Sequence, residues 1–125
     1  MHTGDSIVMA EKTDGMNEAL REVRNRFLFD LDQRICDFEH LKAHIVNGPD
    51  RIEAVRAVAM LAHKIRGVAP TLGLAQLGAL ATSVEDRFSN AASHPSLSEF
   101  WRGAAPDLEN LLDEMERVQP DYSID

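Results

Sequence analysis

The chain has 125 residues, of which 44% are hydrophobic, 27% are charged and 6% are aromatic, and its formal net charge is -8. This length suits one domain and excludes a multidomain enzyme or a two-lobed nucleotide-binding fold, while the normal apolar content argues against disorder over most of the chain. The 21 acidic residues outnumber the 13 basic ones, so the chain lacks the positive charge with which proteins bind a nucleic-acid backbone.

A long amphipathic helix is predicted first. Apolar residues recur every three or four positions, which is the period of one helix face. They are Met16, Leu20, Val23, Phe27, Leu31, Ile35, Phe38, Leu41 and Ile45. The sequence Asn47-Gly48-Pro49 should end this helix, because proline cannot continue the hydrogen-bond ladder. Residues 1–14 carry no such stripe and are expected to form a flexible arm.

Two shorter helices should follow. The second is predicted over about 49–69, where Asp50 and Glu53 have the spacing of a capping box. A tight reversal at Pro70–Gly73 should separate it from the third helix. The apolar faces are Ala54, Val58, Leu61, Ile65 and Val68 in the second helix, and Leu77, Ala81, Val84, Phe88 and Ala91 in the third.

A fourth helix is predicted after a loop over 90–96. Ser96 and Glu99 form a second capping-box pair at its start, and its apolar stripe continues to Val118. Pro106 within this stretch predicts a kink or a break.

The four apolar stripes predict an all-α, antiparallel four-helix bundle, because each stripe must pack on another to leave water. We expect the bundle to occupy residues 15–118, with 119–125 as a frayed tail. Cys36 is the only cysteine, which excludes an internal disulfide and favours a reducing compartment. Neither a signal peptide nor a membrane-spanning segment appears in the sequence, so we expect a cytoplasmic protein that does not bind membranes.

The surroundings of one histidine on the second helix are not explained by packing. At about 100° per residue, His63 points roughly opposite Leu61 and Ile65 and away from that part of the core. Gly67, one turn later, costs about 1 kcal/mol relative to alanine inside a helix, so it should have a packing or access reason. The neighbours of His63 on the helix surface are Arg56, Ala59, Met60, Arg66, Gly67 and Pro70, with Lys64 at the flank.

These neighbours would leave the imidazole accessible and bordered by positive charge. Such an arrangement suits a nucleophile that accepts a dianionic phosphoryl group from a protein donor, since the donor needs an open approach and cations steady the charge. The alternative is an ordinary exposed histidine near a helix end.

The segment from Ala62 to Gly73, AHKIRGVAPTLG, resembles the signature of histidine phosphotransfer (HPt) domains. That family is a four-helix bundle with the phosphoacceptor histidine on the second helix, and the resemblance covers roughly residues 16–118. It implies that His63 accepts the phosphoryl group through Nε2 and that Arg66 offsets its charge. The further positions that it implies are Gly67 for access, Gly73 for the turn and Lys64 as a flanking cation.

The resemblance extends to two further positions. Members of the chemotaxis-kinase type place a polar residue beside the imidazole, and the matching residue here is Glu85. Its carboxylate would accept a hydrogen bond from Nδ1–H, fix the tautomer and leave Nε2 as the nucleophile. Pro70 is less usual in the family and should end the second helix early. With Arg56, Ala59 and Met60, it is expected to line the partner-docking surface.

The implied reaction is reversible phosphoryl transfer between His63 and an aspartate of a response-regulator receiver domain. Hybrid histidine kinases and receiver domains would be the partners and would supply the divalent metal, so we expect a monomer with no cofactor or metal site. The chain has no glycine-rich loop followed by Lys-Ser/Thr and should not act as an ATP-dependent kinase.

Other interpretations stay open at this point. The chain could be a helical adaptor that docks receivers or other helices without accepting phosphate, or His63 and Glu85 could form a hydrolytic acid–base pair. His40 and His44 have a spacing that can bind a metal, although the polar face of a long helix explains them as well. Cys36 is expected to be a half-buried small hydrophobe.

Overall fold

The computed structural model describes residues 17–120, and this part of the chain is helical without a strand. The α-helices are α1 (17–29), α2 (Leu31–Asn47), α3 (Arg51–Val68), α4 (Ala75–Ser89) and α5 (Leu97–Val118). Short 3-10 turns at Ala69–Leu72 and Ala91–Ser93 follow α3 and α4. None of the helices among these residues has both the length and the apolar content that a membrane crossing requires. The predicted arm over 1–14 and residues 121–125 of the predicted tail lie outside the described residues.

Helices α1 and α2 follow one helical path, as predicted for the first amphipathic helix. Asp30 separates them but keeps right-handed helical backbone angles, with φ at -77° and ψ at -7°. Its N–H donates to the Arg26 carbonyl at 3.0 Å, and the Arg34 N–H donates to the Asp30 carbonyl at 3.3 Å. If α1 and α2 are counted as one helix, the described residues form a bundle of four helices: α1–α2, α3, α4 and α5.

The core is built from the predicted stripes, because burying them removes apolar surface from water at about 25 cal/mol per Å². The largest fully buried side chains include Phe38 and Ile45 of α2, Ile65 of α3, Leu77 and Val84 of α4, and Phe100, Leu108, Leu111 and Met115 of α5. Two predicted core positions in the first stripe are wrong, because Leu20 and Val23 are 44% and 51% exposed. Val68 is likewise exposed.

The two predicted capping boxes have different outcomes. The Ser96 side chain accepts a hydrogen bond from the Glu99 N–H at 3.1 Å, so the α5 N-cap is confirmed. The capping box at Asp50 is wrong, because the Asp50 side chain makes no cap hydrogen bond. Glu53 instead pairs with Arg56 at 2.9 Å.

Helix α5 continues through Pro106, so of the predicted kink or break the break does not occur. Proline removes one helical N–H, but Ala104 and Leu108 on either side are fully buried and their packing holds the helix. The helix ends at Val118, and the Gln119 side chain then donates to Asp32 at 2.5 Å.

A close turn joins α3 to α4 and sets the spacing of the two helices that carry the candidate site. Gly73 has φ at +78°, the left-handed conformation expected at this position. Pro70 in the preceding 3-10 turn packs on Gly78 of α4, where a Cβ atom would lie 2.8 Å from the Pro70 Cγ. The turn can lie this close to α4 only because residue 78 has no side chain.

Candidate functional site

His63 lies on the outer face of α3. Its side chain is 68% exposed, while Ala62 and Ile65 on the opposite face are fully buried. This is the orientation predicted from helical geometry. The ring lines a shallow depression of about 220 Å³, called here the His63 depression. Its other lining residues are Ala59, Met60, Lys64, Glu85 and Ser89.

Gly67 leaves open space one turn beyond His63. A Cβ atom at this position would meet no atom within 4 Å in the described part of the chain. Close packing therefore does not require the glycine. What the glycine does is to leave open space beside the imidazole.

Glu85 on α4 reaches across to the imidazole. Its Oε2 lies 2.7 Å from Nδ1 of His63, and its side chain is only 17% exposed. An ionised carboxylate can only accept hydrogen bonds, so the contact requires the proton on Nδ1. In the neutral ring, Nε2 then carries the free lone pair.

Arg66 binds the other oxygen of the same carboxylate. Its NH1 donates to Glu85 Oε1 at 2.8 Å. This hydrogen bond is the main cause that lowers the pKa of Glu85; burial opposes the shift, and the His63 contact adds to it. The carboxylate is therefore ionised at neutral pH. The structure brings His63, Glu85 and Arg66 together in one hydrogen-bonded row.

The remaining sequence-predicted residues surround this row unevenly. Met60 is 64% exposed and, with Ala59 and Lys64, borders the ring. No carboxylate among residues 17–120 forms an ion pair with Lys64. The sequence predicts Arg56 beside the His63 ring. In the structure, Arg56 instead forms an ion pair with Glu53, nearer the start of α3. Pro70 is exposed but also packs on α4.

Two relevant residues were missed from the sequence. Gly78 allows the close contact between α4 and the turn. The signal that could have singled out this residue is a glycine inside a predicted helix. Ser89 lines the His63 depression one turn after Glu85, where the spacing of four residues places both on one face of α4.

The other candidate side chains do not form a site. Within residues 17–120, no three His, Cys, Asp or Glu side chains are grouped to hold a metal ion. The rings of His40 and His44 lie 4.7 Å apart between centroids on α2. Cys36 is exposed, so the expectation that it is half-buried is wrong.

One of the three comparisons with known proteins found a match, and it agrees with the helical bundle. No similar curated protein and no similar solved structure matched the chain. The family model described as Hpt domain matches residues 22–119, which include α2 to α5 and all residues of the His63 depression. Because this match spans most of the sequence, the chain belongs to the Hpt domain family, the helical phosphocarriers of histidine phosphotransfer in phosphorelays.

Proposed function

We propose that this chain shuttles a phosphoryl group between His63 and the aspartates of receiver domains. The observation that carries the proposal is the 2.7 Å contact between His63 Nδ1 and Glu85. It leaves Nε2 as the free nucleophile of a ring that is 68% exposed. A partner domain can reach such a ring without any change in the bundle core.

The transfer step can be written with its charges balanced. The Nε2 lone pair attacks the phosphorus of the aspartyl phosphate, the P–N bond forms, and the P–O bond to the aspartate breaks. The aspartate leaves as a carboxylate with the bonding pair. The imidazole ring then carries a positive charge with its proton on Nδ1, and Glu85 stabilises that charge. The reverse sequence returns the phosphoryl group to an aspartate.

Two cations are suited to the charge of the phosphoryl group. Arg66 has five N–H donors, so it can retain its bond to Glu85 and offer others to a phosphoryl oxygen. Lys64 flanks the ring and has a mobile ammonium group. Arg66 would hold the carboxylate and the phosphoryl group together, while Lys64 would add positive charge from the other side.

The partner would supply the rest of the chemistry. A receiver domain brings the aspartate and its divalent metal, so the carrier needs neither ATP nor a metal of its own. Hybrid histidine kinases with receiver domains would be donors, and response regulators would be acceptors. We expect the reaction to take place in the cytoplasm, because a lone cysteine fits a reducing compartment.

The test is phosphoryl transfer from a panel of receiver domains loaded with labelled acetyl phosphate. The wild-type chain should acquire a label that is labile in acid and stable in base. His63→Gln should abolish the label with nearly unchanged helicity and melting, whereas the matched control His40→Gln should retain it. Binding of receivers without label would favour the adaptor function instead. A large loss of stability in His63→Gln would contradict the exposed position of the ring.

A further inference from the structure

A methionine is exposed on the outer face of α3, one turn before His63. Met60 is 64% exposed, and no large hydrophobic residue that the structure describes is more exposed. Within the same part of the chain, Met60 neither belongs to the core nor packs against it, whereas Met115 of α5 is fully buried. Residues three apart share one side of a helix, so Met60 and His63 are neighbours, about 4.5 Å apart along the axis.

Met60 borders two depressions of the surface. One is the His63 depression. The other, of about 310 Å³, lies between α2 and α3, and its apolar lining includes Leu41 and Leu61. Met60 and Lys64 line both depressions. The side chain of Met60 therefore lies between the phosphoacceptor histidine and a second apolar surface.

A receiver domain that reaches Nε2 of His63 has to cover Met60. A specific interface of ordinary size takes about 800 Å² from each partner, so it extends well beyond one helical turn from its centre. An unbranched thioether side chain adapts to differently shaped surfaces, which suits a carrier that serves both donor and acceptor domains. Met60 should therefore bury apolar surface in each of these complexes.

The thioether of an exposed methionine also reacts with hydrogen peroxide. A sulfur lone pair attacks one peroxide oxygen, the S–O bond forms, and the O–O bond breaks. The leaving hydroxide takes the proton of the transferred oxygen and departs as water. The sulfur is oxidised by two electrons, and the peroxide is reduced by two. The product, methionine sulfoxide, is polar, and covering its oxygen without a hydrogen-bond donor is unfavourable.

We propose that Met60 is a redox-sensitive docking residue, at which oxidation by hydrogen peroxide weakens the binding of receiver domains. The proposal rests on the proposed function, because it assigns a regulation to the same surface. Methionine sulfoxide reductases reverse the oxidation, so the change can be undone. Phosphoryl transfer through His63 would fall under peroxide and recover afterwards, while the bundle stays folded because Met60 lies outside its core.

The test uses the full chain with Cys36→Ser, because Cys36 is exposed and its thiol would also react with peroxide. The carrier is oxidised alone, the remaining peroxide is destroyed with catalase, and the fastest donor from the receiver panel is then added. Peptide mass spectrometry should find one added oxygen on Met60 and none on Met115. The KM for the phosphorylated receiver should rise about tenfold, or about 1.4 kcal/mol, with kcat unchanged, because the hydrogen-bonded row at His63 is unaltered.

Two substitutions at the same position are the controls. Met60→Leu removes the thioether but keeps an apolar side chain and the other methionines, so peroxide should leave the KM of this variant at its own untreated value. Met60→Gln carries a polar amide at all times, and its KM should equal that of the oxidised chain with or without peroxide. A methionine sulfoxide reductase should restore the KM of the oxidised chain.

Several outcomes would overturn the proposal. One is a KM that does not change although mass spectrometry shows Met60 fully oxidised, and another is a Met60 that peroxide does not oxidise. An equal rise of the KM in Met60→Leu would place the effect at another residue, and a loss of helicity on oxidation would mean that the bundle rather than docking is affected. Failure of every receiver to label the untreated chain would overturn the proposed function, whereas normal labelling with a KM insensitive to peroxide would overturn this regulation alone.

Discussion

Helix α3 has a glycine in its last turn, Gly67, and α4 has one in its first turn, Gly78, and the two glycines have opposite surroundings. A Cβ atom at Gly67 would meet nothing within 4 Å among the described residues, whereas one at Gly78 would lie 2.8 Å from the Cγ of Pro70. One glycine keeps a surface open and the other lets two elements touch. The same sequence signal therefore marks access in one helix and packing in the next.

The two glycines belong to two regions of the α3–α4 pair, the outer face and the turn region, which differ in what they contribute to the protein. The outer face holds His63 and Glu85, joined at 2.7 Å, in contact with solvent. The turn region holds Pro70, Gly73 and Gly78 and sets the spacing of the helices. Changes on the outer face should alter transfer without unfolding the bundle, while changes in the turn should alter stability first.

The largest expected effect is at the open glycine. Gly67→Leu should slow transfer from a phosphorylated receiver by about 100-fold or more, because a side chain would occupy the space that the partner needs. The free energy of unfolding should stay equal or rise by about 1 kcal/mol, since leucine is the better helix former. Initial transfer rates and urea unfolding would measure the two effects. Normal transfer by this variant would contradict the access argument, and Gly67→Ala serves as the small-side-chain control.

The closed glycine should respond in the opposite way. Gly78→Ala should lower the free energy of unfolding by about 1–3 kcal/mol, because the added methyl group overlaps the rigid Pro70 ring. Combining it with Pro70→Ala should recover part of this loss in urea unfolding, as expected for two residues in direct contact. Additive effects of the two substitutions would show that the contact isn't the source of the loss. The rate of phosphoryl transfer per folded molecule of Gly78→Ala should stay close to the wild-type rate.

The sequence predicted the helices of the bundle and the exposed position of the His63 ring, because both depend on one helix at a time. Periodic apolar positions predict which face is buried, and the same geometry places His63 on the other face. Gly78 could be recognised as a place of close approach, but its partner Pro70 could not be found in this way, since the contact depends on how the turn lies against α4. The exposure of Leu20 and Val23 has the same origin: their spacing fits a core stripe, but the neighbouring helices end before they can cover it.

A smaller effect is expected when the charge of the outer face is removed. Glu85→Gln should slow transfer about tenfold, because an amide oxygen can still accept from Nδ1–H but cannot neutralise the charged ring. The neighbouring Asp86→Asn is the matched control and should leave the rate near wild type. Nitrogen chemical shifts of His63 should show a mixture of ring tautomers in Glu85→Gln. A wild-type rate together with a single Nδ1–H tautomer would exclude a positioning role for Glu85.

The smallest expected effect is a difference in how the two regions respond to acid. The pKa of Glu85 is lowered from its usual 4.5, chiefly by the Arg66 hydrogen bond. Its contribution to stability is thus complete above pH 4.5 and is lost as the pH falls through the lower folded-state value. Urea unfolding between pH 3 and 7 should give a wild-type minus Glu85→Gln difference that shrinks only below pH 4.5.

The turn region supplies the control for this titration, because Pro70, Gly73 and Gly78 carry no ionisable side chain. The difference in unfolding free energy between the wild-type chain and Gly78→Ala should therefore stay constant over the same pH range. A Glu85 difference that does not shrink at all as the pH falls below 4.5 would mean that the carboxylate stabilises the bundle by packing rather than by charge. A Gly78 difference that changes with pH would mean that acid also alters the turn, and the two regions would then not be independent.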